Sequence, residues 1–398
     1  MIEGFSLDGI HCHYQPVVDL ERRTVVGYEA LCRGAAGSSL EPPLELFAAA
    51  RRAGRLNETD WACRRASLRG ARQAGLRPPL KLFINVEPSA LGGESPDRMS
   101  GLSEDALSQL DLVVEFTERA ITESPAELLR SINRVRQLGG AVAIDDVGPG
   151  GAPLAIVPLV RPDVVKLDLS IVHNPTNRES ARVAAAMSAY SEAAGARVVA
   201  EGIEREEHVM SALALGATLG QGWLFGRPAP LPDPLPSAQI RLTIGGAPAR
   251  TPASSPAALV GRRLPLRRGT EELVRELAGQ LLGQAGEMGE HAVVAASVAP
   301  RPEAPLLLER LAPLVRDAAL VALVGANVEL AGAHIGLVEP GEPLAREWNL
   351  AVLGPYFAGA LVARLVDDAP HRTCDFALTH DPDIVGDVAA DLVARAVG

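Results

Sequence analysis

Six short apolar runs in the first 230 residues each carry an oxygen-bearing side chain at or near their ends, and this recurrence constrains the fold more than any other feature of the chain. They are VGYEA with Glu29, LFIN with Asn85, LVVEF with Glu115, AVAIDD with Asp145 and Asp146, VVKLD with Lys166 and Asp168, and VVAEG with Glu201. Runs of Val, Ile, Leu and Ala without polar alternation read as strands buried on both faces. Helical patterns lie between them, so the segment reads as repeated β–α units around a parallel sheet. In a closed β/α barrel the C-terminal strand ends converge on one rim, which holds the active site. Several carboxylates and one carboxamide on that rim carry too much negative charge to stand uncompensated. Hard divalent cations with oxygen ligands are the simplest compensation.

At 398 residues the chain exceeds one typical domain. The formal charge of −11 argues against a nucleic acid polymer as partner. It leaves an anionic small molecule open, because bound metal reverses the local field. The basic residues are almost all Arg; only Lys81 and Lys166 are Lys. A lysine at a strand end among acids is a point charge with a tunable pKa, which makes Lys166 a candidate for chemistry. Cys12, Cys32, Cys63 and Cys374 form no CxxC pair, so a reduced, cytoplasmic setting is expected. No secretory signal and no membrane span is expected either. The nearest apolar run, LAVLGPYFAGALVARLV, contains Pro355 and Arg364.

HYQPVVDL and VVGYEAL, joined by ERRT, read as a hairpin that opens the domain. Helical periodicity runs from Pro42 to Gly75, and a second helix follows Ser124. ATLGQGWLFG reads as a last strand. Pro, Gly and Ser then mark a linker over 231–258, within which IRLTIGG reads as a short strand. Residues 259–398 read as a smaller α/β unit. Its helix TEELVRELAGQLLGQAG has an N-cap candidate in Thr270, HAVVAASV and AALVALVG are strands, GPYFAGALVARLVDD is expected to be helical, and a last helix closes the chain.

The stretch QPVVDLERRTVVGYEALCR, with Glu29-Ala30-Leu31 and Arg33, resembles the signature of the EAL-domain cyclic di-GMP phosphodiesterases. Further matches follow in family order. They are Phe83-Ile84-Asn85-Val86, Glu115-Phe116-Thr117-Glu118, Ala143-Ile144-Asp145-Asp146, Val165-Lys166-Leu167-Asp168, Glu201-Gly202-Ile203-Glu204 and Gln221 through Pro228. The resemblance covers about residues 10–230 and implies a TIM-like (β/α)8 barrel, residues 1–230, with one antiparallel strand. It implies hydrolysis of cyclic di-GMP to linear pGpG with Mg²⁺ or Mn²⁺. Glu29, Asn85, Glu115 and Asp145 would hold one metal, and Asp145 and Asp146 would help place a second. Lys166 would orient the attacking water, and Glu201 would complete the metal and water shell. Gln15, Arg33 and Gln221 would contact or shape the ligand, Arg33 at a phosphate. Glu118 would support the loop after Asp146, and Glu204 the second shell.

That loop departs from the family pattern. Asp145-Asp146 is followed by Val147-Gly148-Pro149-Gly150-Gly151-Ala152-Pro153-Leu154, without the usual Phe, Tyr and two Ser. The resemblance gives this loop a part in ordering the site and in homodimer coupling. A catalytically weak receptor that signals by binding cyclic di-GMP is therefore the alternative, and a metal-dependent hydrolase of another substrate a third reading. His11 and His13 share one strand face but lack a third ligand. Residues 259–398 resemble the DICT sensory domain, through Trp348–Leu361, Arg372–Phe376 and Thr379–Val385. This implies a regulatory module for a small-molecule signal, with dimerisation as the other use. His380 and Asp381 are expected to cap the helix that follows.

Overall fold

The computed structural model describes residues 6–87, 109–117, 124–149, 152–237, 242–244, 247–250, 253–299, 304–366 and 372–396. The chain divides into two compact units. The first comprises residues 1–120, 131–149 and 162–249; the second comprises 121–130, 150–161 and 250–398.

The first unit is a closed eight-stranded barrel. Its strands are β1 (His11–Asp19), β2 (Thr24–Arg33), β3 (Lys81–Asn85), β4 (Asp111–Thr117), β5 (Ala141–Val147), β6 (Val164–Leu167), β7 (Arg197–Ala200) and β8 (Leu219–Gln221). β1 is antiparallel to both its neighbours, β2 and β8, while β2 through β8 run parallel. The hairpin and the one antiparallel strand are those expected from sequence. The long helical stretch is two helices, α1 (Pro43–Arg52) and α2 (Leu56–Gln73). They part at Gly54, whose positive φ of 65° ends the first. The expected last strand shortens to Leu219–Gln221, because Gly222 turns the chain against Ile203.

The barrel interior is built in layers. Val17, Phe83, Val113, Ala143, Val164, Val199 and Leu219 belong to one buried apolar cluster, joined by Leu242. Leu242 comes from IRLTIGG; the described part of that segment, 242–244, is not a strand, and the rest lies outside the described residues. Side chains two apart on a strand share a face. Two positions beyond the cluster residues along the parallel strands stand Asn85, Glu115, Asp145, Lys166, Glu201 and Gln221. On antiparallel β1 the matching step runs backward, from Val17 to Gln15.

The second unit is a seven-stranded sheet in the order β12-β11-β10-β13-β14-β15-β9. Its strands are β9 (Arg267–Thr270), β10 (Val293–Val298), β11 (Leu320–Gly325), β12 (His334–Leu337), β13 (Glu347–Gly354), β14 (Phe357–Val366) and β15 (Thr373–Thr379). The helix Glu271–Met288 packs Val274, Ala278, Leu281 and Leu282 onto one cluster with Val294, Leu350, Val352 and Leu361. Thr270 caps this helix through Leu273 N–H, and Asp381 caps the helix Pro382–Arg395 through the N–H groups of Asp383 and Ile384. His380 instead bonds the carbonyl of Ala358, 2.8 Å away.

The described part of GPYFAGALVARLVDD, residues 354–366, is not a helix; Asp367 and Asp368 lie outside the described residues. Phe357–Val366 forms β14, paired with β13 through a turn in which Gly354 faces Phe357. Residues 359–363 are buried on both faces of the sheet. A strand so placed loses its polar alternation, and periodicity cannot separate it from a buried helix.

Among the described residues, no helix is long and apolar enough to cross a membrane.

Candidate active site

Lys166 stands at the centre of the polar layer, 1% exposed at its side chain. Its Nζ lies 2.8 Å from Glu201, 3.0 Å from Asp145, 3.1 Å from Glu115 and 3.3 Å from Glu29. One cation thus faces four carboxylates. Burial works against the charge of Lys166, but the four carboxylates outweigh it and hold the ammonium well above its ordinary pKa.

The carboxylates divide the remaining charge unequally. Burial, and then the neighbouring Glu29, push Glu115 well above the ordinary carboxylate range. Burial pushes Glu201 up to about 8. Glu29 goes the other way: burial opposes its charge, but Lys166 and the amides of Gln221 and Asn85 together win. Asn85 Nδ2 donates to Glu29 Oε1 at 2.9 Å, and Gln221 Nε2 donates to Oε2 at 2.6 Å. Glu29 is therefore the fixed anion of the site.

Two overlapping acidic groups result. Glu29, Glu115 and Asp145 form one, and Asp145, Asp146 and Glu201 the other; within each, ligand oxygens lie within 4.8 Å of one another. Consecutive strand residues normally point to opposite faces. Here the β5–β6 register shifts between Ile144 and Val147, and Asp146 adopts a positive φ of 59°. The bulge lets both aspartates serve one group, as bulges at barrel rims re-aim side chains. Asp146 N–H donates to Asp145 Oδ1 at 2.9 Å, which fixes the turn.

The donor set fits a hard divalent cation. Both oxygens of Glu115 are buried without a hydrogen-bond partner, although Lys166 lies close to one of them. Oxygens so desolvated, in a cluster of this charge, suit metal ligation.

The other expected site residues are placed as follows. Gln15 Oε1 accepts from Gln221 at 3.0 Å, and its Nε2 donates to Gly226 O at 3.0 Å. Arg33, at the rim end of β2, donates to Cys32 O. Glu204 is exposed on the turn after Glu201, and no contact joins it to Lys166. Glu118 lies outside the described residues. His11 and His13 touch edge to face, outside either acidic group.

Sequence reasoning did not reach the supports of the site. His173 Nε2–H donates to Gly202 O at 2.8 Å and His208 Nδ1 accepts from Glu204 N–H at 3.2 Å, so two histidines brace the turn that carries Glu201. Asp60, paired with fully buried Arg64, accepts from Glu87 N–H two residues beyond Asn85. An Asp and an Arg four apart on a helix were the available signal.

Gly202 has φ +65°, and a Cβ on it would stand 2.4 Å from the Leu169 Cβ. Gly202→Ala is expected to cost about 1–3 kcal/mol and to displace Glu201, read as a lower melting midpoint and weaker metal binding together. Stability and metal affinity are also expected to depend on pH. A carboxyl whose folded pKa is raised contributes stability that is fully present below its unfolded pKa and lost as pH rises through the folded one. For Glu201 that window runs from 4.5 to about 8. Glu29, with its lowered pKa, acts only below 4.5. The metal-free protein is thus expected to melt at progressively lower temperature across that window, and Mn²⁺ to bind more tightly, as proton release on binding requires. A flat profile in both would contradict the assignment.

The EAL domain family matches residues 3–228, more than half of the chain. The chain belongs to the EAL domain family. Cyclic di-GMP phosphodiesterase RocR of Pseudomonas aeruginosa is 29% identical over 235 residues, 58% of this chain and 60% of that protein. Cyclic di-GMP phosphodiesterase NbdA of the same organism is 31% identical over 231 residues, 56% of this chain and 29% of that one. This EAL chain therefore spans 60% and 29% of the length of these two relatives. The calcium and cyclic di-GMP complex of BlrP1 from Klebsiella pneumoniae superposes with a TM-score of 0.50 at 27% identity, over 57% of this chain and 58% of that one. The EAL domain of FimX from Xanthomonas citri has the same fold, with a TM-score of 0.50 at 20% identity over 57% of this chain and 91% of that one.

Proposed function

We propose that this EAL barrel hydrolyses cyclic di-GMP to linear pGpG with two divalent cations, Mg²⁺ or Mn²⁺, in the cytoplasm. The observation that carries this reading is the pair of acidic groups sharing Asp145, in a family whose named relatives are cyclic di-GMP phosphodiesterases. Glu29, Asn85, Glu115 and Asp145 would hold one ion, and Asp145, Asp146 and Glu201 the other. When bound, the ions supply charge neutralisation at the phosphodiester and a water of lowered pKa.

The residues of the chain do the rest. Glu29, kept anionic by Lys166 and two amides, anchors the site. Lys166, held by four carboxylates, has a fixed position from which its N–H groups orient the attacking water. Arg33, at the rim end of β2, offers a guanidinium to the second, non-reacting phosphate. Gln15 and Gln221 hold one another and Glu29, and they set the floor under the ligand. Water adds to phosphorus, one ester P–O bond breaks, and the ring opens to pGpG.

Residues 259–398 are read as the regulatory part, with a small-molecule signal, and the working protein as a homodimer. Support for regulation comes from the path of the chain. In the sequence five positions separate Asp146 from Ala152, the first described residue of the segment 150–161 that is assigned to the second unit. Within that unit Arg161 pairs with Asp383 at 3.1 Å and with Asp387 at 3.5 Å.

The test is incubation of the purified protein with cyclic di-GMP and Mg²⁺ or Mn²⁺, followed by chromatography. Conversion to pGpG, abolished by a chelator, is the expected result. The replaced residues at 147–153 favour one second reading, a receptor. It predicts that intact cyclic di-GMP is bound and recovered unchanged.

A further inference from the structure

On the outer wall of the barrel, β1 and β2 place two thiols side by side. Cys12 and Cys32 are direct cross-strand partners, and their Sγ atoms are 2.9 Å apart. Directly opposed residues in an antiparallel pair have Cα atoms about 4.5 or 5.5 Å apart, and both spacings fall within the range a disulfide spans. Closing to the bond length of about 2.05 Å needs a movement of less than about 1 Å. Both side chains are half-buried, under α2, where Ser67 Oγ lies 3.3 Å from each sulfur and Cys32 donates to Cys63 O at 3.3 Å. The sulfurs of Cys12, Cys32 and Cys63 do not form a mutual group within 4.8 Å, so the geometry suits two-thiol chemistry and not a three-sulfur metal site. All four cysteines are free thiols.

We propose that Cys12 and Cys32 are a reversible dithiol–disulfide pair, oxidised by hydroperoxides and restored by small thiols. One sulfur attacks the peroxide, becomes a sulfenic acid and releases the alcohol (water, for hydrogen peroxide). The second sulfur attacks the first, the S–S bond forms and water leaves. The two sulfurs together lose two electrons, which reduce the O–O bond, and the thiol protons leave in the alcohol and the water. The contact with Cys32, together with burial, holds the Cys12 thiol well above its ordinary pKa. The pair therefore reacts slowly at neutral pH and faster in alkali. Gln15, Glu29 and Arg33 lie an odd number of positions from the cysteines on the same strands, hence on the opposite face. The bond would staple the hairpin that carries them without entering the site.

The sequence makes the test clean. Trypsin separates Cys12 in Met1–Arg22, Cys32 in Thr24–Arg33 and Cys63 in Leu56–Arg64. The full chain is treated with hydrogen peroxide, blocked with an alkylating reagent and mapped by mass spectrometry. The expected result is loss of two titratable thiols out of four, a Met1–Arg22 to Thr24–Arg33 linked peptide lighter by two hydrogens, and reversal by dithiothreitol. Cys63 and Cys374 should remain alkylated as thiols. The oxidised chain should melt about 5 °C higher. Four intact thiols, a link through Cys63, or over-oxidation of a single cysteine without a link would overturn the proposal. In Cys12→Ser the linked peptide must vanish; a persisting loss of two thiols there overturns it as well.

Discussion

Lys166→Met is expected to destabilise the metal-free protein by about 3–5 kcal/mol near neutral pH, because it strands Glu29, Glu115, Asp145 and Glu201 in a buried layer without their cation. Methionine matches the lysine stem in length and packs against the same walls, so lost volume contributes little. The penalty is electrostatic and should shrink as pH falls and Glu115 and Glu201, whose pKa values are raised, take up protons. Divalent metal should restore more stability to the variant than to the parent protein, since it replaces the missing charge. Thermal melts of variant and parent, with and without Mn²⁺ at two pH values, test each of these expectations. A variant as stable as its parent without metal at neutral pH would mean that Lys166 does not balance the cluster.

Glu29→Gln is expected to leave the melting midpoint within a few degrees of the parent while lowering cyclic di-GMP turnover by about 1,000-fold. The two amides that donate to Glu29, from Asn85 and Gln221, would meet a side chain with a single acceptor oxygen and donors of its own. The anion that Lys166 and those amides stabilise is then absent, and one of the two acidic groups loses a ligand. The charge removed also relieves Glu115, which is why the fold tolerates the change. Activity and fold are measured on the same sample, so a collapsed variant cannot be mistaken for an inactive one. Full turnover in this variant would contradict the site assignment.

The barrel was legible because its strands are buried on both faces and end in side chains that an apolar core does not admit. Asn85, Glu115, Asp145, Lys166, Glu201 and Gln221 repeat one rule, two positions beyond a core residue. What could not be read was how neighbouring residues come to share a face. Asp145 and Asp146 are adjacent, and only the bulge and the left-handed backbone of Asp146 bring both to one acidic group. The amides of Gln15 and Gln221 bond one another across β1 and β8, a pairing set by barrel closure and not by any local pattern. His173 gave no signal, since its partner is a backbone carbonyl 29 positions away. In the second unit β14 read as a helix because Gly359 through Ala363 are buried on both faces, and the turn signal in Gly354-Pro355 marked a hairpin just before it.

Two acidic groups share Asp145, and the most direct test of the proposed two-ion site is the number of Mn²⁺ ions bound per chain at saturation, followed by electron paramagnetic resonance. The parent protein is predicted to bind two, Asp146→Asn to lose one of them, and Asp145→Asn to weaken both. A single ion in the parent protein, or loss of one ion from Asp145→Asn with the other unaffected, would contradict it.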